Sequence, residues 1–260
     1  MKKLFPMMAL AGLLAGCCCC ECQTCGKSPN VSVFASSIGK VAHERKVSLA
    51  EAADLLIAEG VTGFDCAYND GKLPEYAATA MKPVNLFGFI KFFEADNGRA
   101  QCDDYVATAK KYGVTICLEN MFVGFRGKIY GACCSDIATA CQYIDTLNGI
   151  AGEKVFGFCL DTGHLLLLGK DVKNAMVQLG DRIEAFHVHD NDGVADQHLA
   201  PYMGVLDWDR FIEGLKAIGF DKTISFEAGQ IWERVDREMV PSLLRFTAEC
   251  GRMFARRAAQ

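Results

Sequence analysis

Four apolar runs in the second half of the chain, VTICLEN, FGFCLDTGH, AFHVHD and TISFEAG, end on side chains that bind hard or borderline cations: Glu119, Asp161 with His164, His187, and Glu227. Carboxylate oxygens with one imidazole suit Mn²⁺ or Mg²⁺ better than a structural zinc. A lone Glu or His at a strand end is more often a solvated loop residue, so it is the repetition that points to a site. Each run opens with Val, Ile, Phe, Thr or Cys, the residue types of strands. In a parallel α/β barrel the C-terminal strand ends converge on one mouth, so residues about 30 to 40 apart in sequence can meet there around one divalent ion.

The elements that must position these residues alternate regularly. Strands are expected at 31–36, 62–67, 85–93, 114–119, 155–161, 183–189 and 223–227. Between them, SLAEAADLLIAEG reads as a helix with Ser48 as N-cap, Glu51 completing a capping box and Gly60 as stop. A short helix is expected around Pro74 to Met81, then CDDYVATAKKYG, then helices near 133–148, 171–180, 207–218 and 232–256. This β-then-α order is that of a parallel (β/α)8-type barrel. The count is seven strands, so the barrel is either incomplete or hides a further strand within 85–105.

A chain of 260 residues with 51% in the apolar set fits one domain with a large core. The net charge of -5 gives no footprint for a polyanion, which disfavours nucleic acid and points to a small substrate. Residues 1–25 stand apart: a basic MKK, the apolar LFPMMALAGLLAG, then Cys17 to Cys20. Leu14-Ala15-Gly16-Cys17 resembles the lipobox of bacterial lipoproteins, which makes Cys17 the lipidated residue, residues 26–260 the folded domain, and the protein an exported one held to a membrane only by its lipid. The alternative is a Cys-rich extension on a cytoplasmic protein. Six of the 14 cysteines fall within 17–25. Cys22-x-x-Cys25 lacks a second pair to complete a zinc site, and Cys66, Cys117 and Cys159, inside strand-like runs, read as free buried thiols.

Asp161-Thr-Gly-His164, HVHDNDG from His187, Asp196-Gln-His198, and GVLDW before Glu227 resemble the xylose isomerase-like barrel superfamily of sugar phosphate isomerases and epimerases. The likeness runs over about residues 31–255 and is strongest from Tyr112 to Gly229. It implies a TIM barrel with a single divalent site, Mn²⁺ first and Mg²⁺ or Co²⁺ as alternatives, held by Glu119, Asp161, His187 and Glu227. It implies further that Glu119 and Glu227 are the general acid/base pair, that His164 contacts a substrate oxygen, and that the substrate is a small carbohydrate or polyol-derived ketone. Moving a proton on carbon beside a carbonyl needs such a pair and a cation to hold the enediolate.

Asp196 and His198 are read as loop-ordering or substrate-contact residues, although in the endonuclease IV branch an Asp-x-His here binds additional zinc. His189 is read as a packing histidine on the face opposite His187, and His43 as a surface residue. Where the family often carries Gly-x-Gly, this chain has Pro201-Tyr202-Met203-Gly204, which reshapes the loop over the mouth. Two other functions compete: a non-catalytic barrel lipoprotein that binds a sugar-like ligand, and an endonuclease IV-like phosphodiesterase. The latter needs histidines from the early strands, and the early half offers only His43.

Overall fold

A computed structural model describes residues 31–67, 70–87, 95–229, 231 and 234–260. The signal-like segment with Cys17 and Cys22-x-x-Cys25, and residues 88–93 of the expected third strand, lie outside the described residues. Seven parallel strands close into a barrel: β1 (Val31–Phe34), β2 (Gly63–Ala67), β3 (Lys82–Phe87), β4 (Thr115–Glu119), β7 (Phe156–Asp161), β8 (Ile183–Val188) and β9 (Thr223–Phe226). Closure runs through β1 and β9, with Ser32 opposite Ser225 and Val33 opposite Phe226. Because β3 pairs directly with β4 (Asn85 opposite Thr115, Leu86 opposite Ile116), seven strands complete the ring among the described residues.

The helices are α1 (Ala35–Arg45), α2 (Leu49–Ala58), α3 (Leu73–Ala77), α4 (Ala95–Tyr112), α5 (Ile137–Ala151), α6 (Thr162–Leu167), α7 (Val172–Leu179), α8 (Trp208–Ile218) and α9 (Val240–Ala258). Ser48 caps α2 and Glu51 closes the capping box, as the sequence predicts. Several features differ from expectation, among them α4, which begins at Ala95 rather than at Cys102. The first strand ends at Phe34 and α1 begins at once. The last helix starts at Val240 rather than near 232, where Pro241 in its first turn fits a helix start. A two-stranded antiparallel hairpin, β5 (Phe122–Phe125) with β6 (Lys128–Gly131), follows β4. Arg126 and Gly127 turn it, both with positive φ, as a tight two-residue connection requires.

Side chains alternate across each strand, and the two faces carry different residues. Phe156, Phe158, Leu160, Phe186, Val188, Ile224 and Phe226 belong to the large buried shell beneath the helices. The positions between them are small: Cys117, Cys159 and Ala185 form a separate cluster within the bore. One alternation further along the same strands come Glu119, Asp161 and His187, so a floor of small residues lies under the site. Cys66, Cys117 and Cys159 are buried and in no disulfide among the described residues, as expected.

The segment between β8 and α8 crosses the mouth and is held by Asp190. Its backbone exchanges two hydrogen bonds with Leu199, at 2.8 and 2.9 Å. Its fully buried carboxylate accepts from the Asn191 amide (2.9 Å), the Leu206 amide (3.0 Å) and the Trp208 indole (3.1 Å). Gly204 lies so close that a Cβ there would collide with this carboxylate and the Asn191 carbonyl, which explains the glycine in Pro201-Tyr202-Met203-Gly204. Asp190→Ala strands three buried donors, Asn191 N–H, Leu206 N–H and Trp208 Nε1–H. We expect a loss of about 3 kcal/mol in urea unfolding, and an unchanged midpoint would show that this loop is not fastened through Asp190.

Candidate metal centre

Glu119, Asp161, His187 and Glu227 meet at the mouth, each offering one ligand atom, and these atoms lie within 4.8 Å of one another. Parallel register brings them there: Glu119 pairs opposite Cys159, Asp161 opposite His187, and His187 opposite Ser225, two residues before Glu227. The four differ in access. Side chains of Asp161 and His187 are 0% and 5% exposed, whereas those of Glu119 and Glu227 are 20% and 19% exposed and so open toward the mouth.

Asp161 is also the N-cap of α6, its Oδ1 accepting from His164 N at 2.7 Å. Asn120 carries the alignment one step beyond the β4 ladder. Its side-chain amide donates to the Asp161 carbonyl and its Oδ1 accepts from the Asp161 amide, both at 2.9 Å. His164 Nδ1 donates to the Asn120 carbonyl at 2.9 Å and stands 3.4 Å from Glu119 Oε1, with Phe122 of the hairpin edge-on to its ring at 5.0 Å.

His189 is drawn into the site rather than packed away from it. Residues two apart on an extended segment share a face, so His189 follows His187 into the mouth. Its Nε2 is 3.0 Å from Asp161 Oδ1, and its ring stacks on His198 at 4.3 Å. Gly163 makes room for it, since a Cβ there would collide with the ring. His198 Nδ1 donates to the Glu227 carbonyl and its Nε2 pairs with Asp196 Oδ2, both at 2.9 Å. Four of the five histidines thus gather here, while His43 lies exposed on α1 as expected.

The sequence reading also missed Asp65 on β2. It is fully buried, receives the Ser32 hydroxyl at 3.4 Å, and sits 3.3 Å from His187 Nε2. A carboxylate inside an otherwise apolar strand run, TGFDCAY, was the available signal.

Crowded charge shapes the protonation of the site. Burial pushes the Glu227 carboxyl up to about 7, and Asp161 and Glu119 add to the push against His187 and His198. Burial works against protonation of His164, but Asp196, Asp161 and Glu119 carry it up to about 9. His198 likewise reaches about 9 against burial, chiefly through Asp196 and Glu227. Although burial opposes it, His189, then His164 and His187, hold Asp161 well below the ordinary carboxylate range. Glu227 Oε2 and Asp196 Oδ1 are buried without a hydrogen-bond partner among the described residues. Three crowded carboxylates, one imidazole and an unsatisfied carboxylate oxygen fit a divalent cation, which would replace mutual repulsion with shared ligation.

Two smaller groups adjoin it, Asp161 with His164 and His189, and His189 with Asp196 and His198. Asp196 and His198 therefore both stand beside the four ligand candidates, and His198 orders the chain carrying Glu227.

Among curated proteins, the uncharacterized protein MJ1311 of Methanocaldococcus jannaschii is 31% identical over 157 residues, 59% of this chain and 50% of that protein. The inosose isomerase of Bacillus velezensis is 28% identical over 125 residues, 46% of this chain and 41% of that enzyme. The chain thus spans half or less of the length of these relatives. A solved structure described as IOLI protein with a binding zinc atom superposes with a TM-score of 0.54 at 16% identity, covering 88% of this chain and 96% of that one, a likeness of fold. The family model for the xylose isomerase-like TIM barrel matches residues 98–247. With more than half of its length matched, and its strand ends carrying the expected carboxylates and histidine, the chain belongs to the xylose isomerase-like TIM barrel family.

Proposed function

We propose that the protein is a divalent-metal-dependent isomerase or epimerase of a small sugar or polyol-derived ketone, with Mn²⁺ the preferred ion and Mg²⁺ or Co²⁺ as alternatives. The observation that carries this reading is the convergence of Glu119, Asp161, His187 and Glu227, with the two glutamates open to the mouth and the other two buried. The inosose isomerase relative supports the substrate class.

A divalent cation at this position supplies the positive charge that an enediolate needs. Asp161 and His187, locked by α6, Asn120 and Asp65, would hold it in place. With a cation held there, Glu227 and Glu119, the two carboxylates open to the mouth, would be the pair that takes a proton from carbon beside the substrate carbonyl and returns one. His164, against Glu119 and Asp196, is placed to donate to a substrate oxygen; Asp196 and His198 fix the wall beside it. The phosphodiesterase alternative loses support because His43 is exposed on α1. Lipidation at Cys17 and export remain part of the proposal, resting on Leu14-Ala15-Gly16-Cys17.

Metal analysis of the purified chain is expected to find about one Mn²⁺, Co²⁺ or Mg²⁺ per molecule, lost in a Glu119→Gln, Glu227→Gln double variant. Glu227→Gln alone is expected to slow exchange of the carbon-bound proton of ketoses by about 10² to 10⁴; a folded wild type without metal would end the enzyme reading.

The chelated protein has a definite pH response. Glu227 is raised from 4.5 to about 7, and His164 and His198 from 6.5 to about 9. Each group therefore stabilises the fold at low pH and loses that contribution as pH rises, Glu227 between 4.5 and 7 and the histidines between 6.5 and 9. The lowered Asp161 and Asp196 act oppositely, and only in acid. Thermal midpoints in chelator should fall from pH 5 toward pH 9 by this account, and Mn²⁺ should restore them most at the high end, where protons no longer compete. A flat profile in chelator would contradict the crowding described. For export, Cys17→Ser should leave the protein out of the detergent phase, and retention there would refute lipidation.

A further inference from the structure

His187 is gripped from several sides, and the two ring nitrogens face different partners. Nδ1 stands 3.4 Å from Glu119 Oε2 and 3.3 Å from Glu227 Oε2, inside the four-residue group. Nε2 looks the other way, 3.3 Å from Asp65 Oδ2. Phe34 closes one side, edge-on to the imidazole at 4.9 Å. Asp65 reaches His187 from β2, across β9 and β1 in the ring order, so the contact spans the bore rather than a neighbouring strand. The carboxylate is fully buried, its Oδ1 receiving the Ser32 hydroxyl at 3.4 Å, and it is not among the residues whose ligand atoms converge.

A buried carboxylate needs strong partners, and this one adds negative charge beneath a site already rich in it. Its placement gives a reason. A neutral imidazole has one protonated and one basic nitrogen, and the acceptor facing the ring decides which is which. An anion at Nε2 keeps the proton there and leaves the Nδ1 lone pair toward Glu119 and Glu227, while raising the basicity of the ring.

We propose that Asp65 is a positioning residue that fixes His187 in the Nε2–H tautomer, so that Nδ1 is the nitrogen presented to the cation. This rests on the metal-centre reading above. Asp65 acts through His187 and touches neither the cation nor the substrate. Ser32 in turn orients Asp65, which extends the site to a strand of the N-terminal half in which the sequence showed no ligand.

The test compares wild type with Asp65→Ala and Asp65→Asn, all full chains. Co²⁺ affinity is read by visible absorption in competition with a chelator. The ligating nitrogen of His187 is read on Zn²⁺-loaded, ¹⁵N-labelled protein by long-range ¹⁵N–¹H correlation. In wild type, Nδ1 should carry the zinc-bound shift and Nε2 the proton. Asp65→Ala should weaken Co²⁺ about 10- to 100-fold and mix the ligating nitrogens. Asp65→Asn keeps the shape and one acceptor oxygen, so it should bind about tenfold more weakly while retaining Nδ1 ligation. Should the alanine variant fail to fold, the asparagine variant decides: unchanged affinity overturns the proposal, and the tenfold loss with native circular dichroism supports it. Variants that melt earlier yet bind Co²⁺ as wild type does, through Nδ1, give Asp65 a structural role only and overturn this inference alone. A folded wild type that takes up neither Co²⁺ nor Zn²⁺ overturns the proposed function and this inference together.

Discussion

Repulsion among buried carboxylates is the constraint around which the mouth of this barrel is organised. Glu119, Asp161 and Glu227 converge with their ligand atoms within 4.8 Å, and Asp65 lies just beneath. Anions gathered in a poorly solvated space repel one another strongly. The protein answers with histidines: His189 on Asp161, His187 between Glu119, Glu227 and Asp65, and His198 on Asp196. The protonation shifts of Glu227 and the histidines express the same compromise from the two sides.

The scaffold is built so that this compromise costs the core little. Large apolar residues face outward from the strands to meet the helices, while the bore beneath the site holds Cys117, Cys159 and Ala185. Polar chemistry is therefore confined to the end of the barrel, and the hydrophobic burial that stabilises the fold lies in a separate layer. Asn120 and Asp190 do the fastening between them, the first extending β4 toward Asp161 and the second holding the segment that returns to α8.

Much of this was legible in the sequence because period-2 alternation and strand-ending carboxylates are local signals. The seven strands and the convergence of Glu119, Asp161, His187 and Glu227 follow from them. The features that escaped depend on other information. The hairpin of Phe122–Phe125 and Lys128–Gly131 is short and mostly exposed, and its apolar residues, Phe122, Val123, Phe125, Ile129 and Tyr130, do not alternate with polar ones, which leaves Arg126-Gly127 as its turn signal. His189 was assigned to the wrong face, although its two-residue spacing from His187 implies the same one. Asp65 makes its contact across the bore, and no linear pattern reports a partner more than a hundred residues away.

Asp161 shows how tightly mutation is channelled at such a site. One carboxylate converges with the cation donors, starts α6 by accepting from His164 N, and anchors His189. The loss of a helix cap alone is worth about 1 kcal/mol, and here it would coincide with the release of a buried imidazole. A lineage abandoning the chemistry could not drift away from this residue by neutral steps, because stability would select for it after catalysis had ceased to. Retention of Asp161 in a distant relative is thus weak testimony of activity; the two open glutamates, which carry less of the architecture, are the positions where an idle barrel would first betray itself.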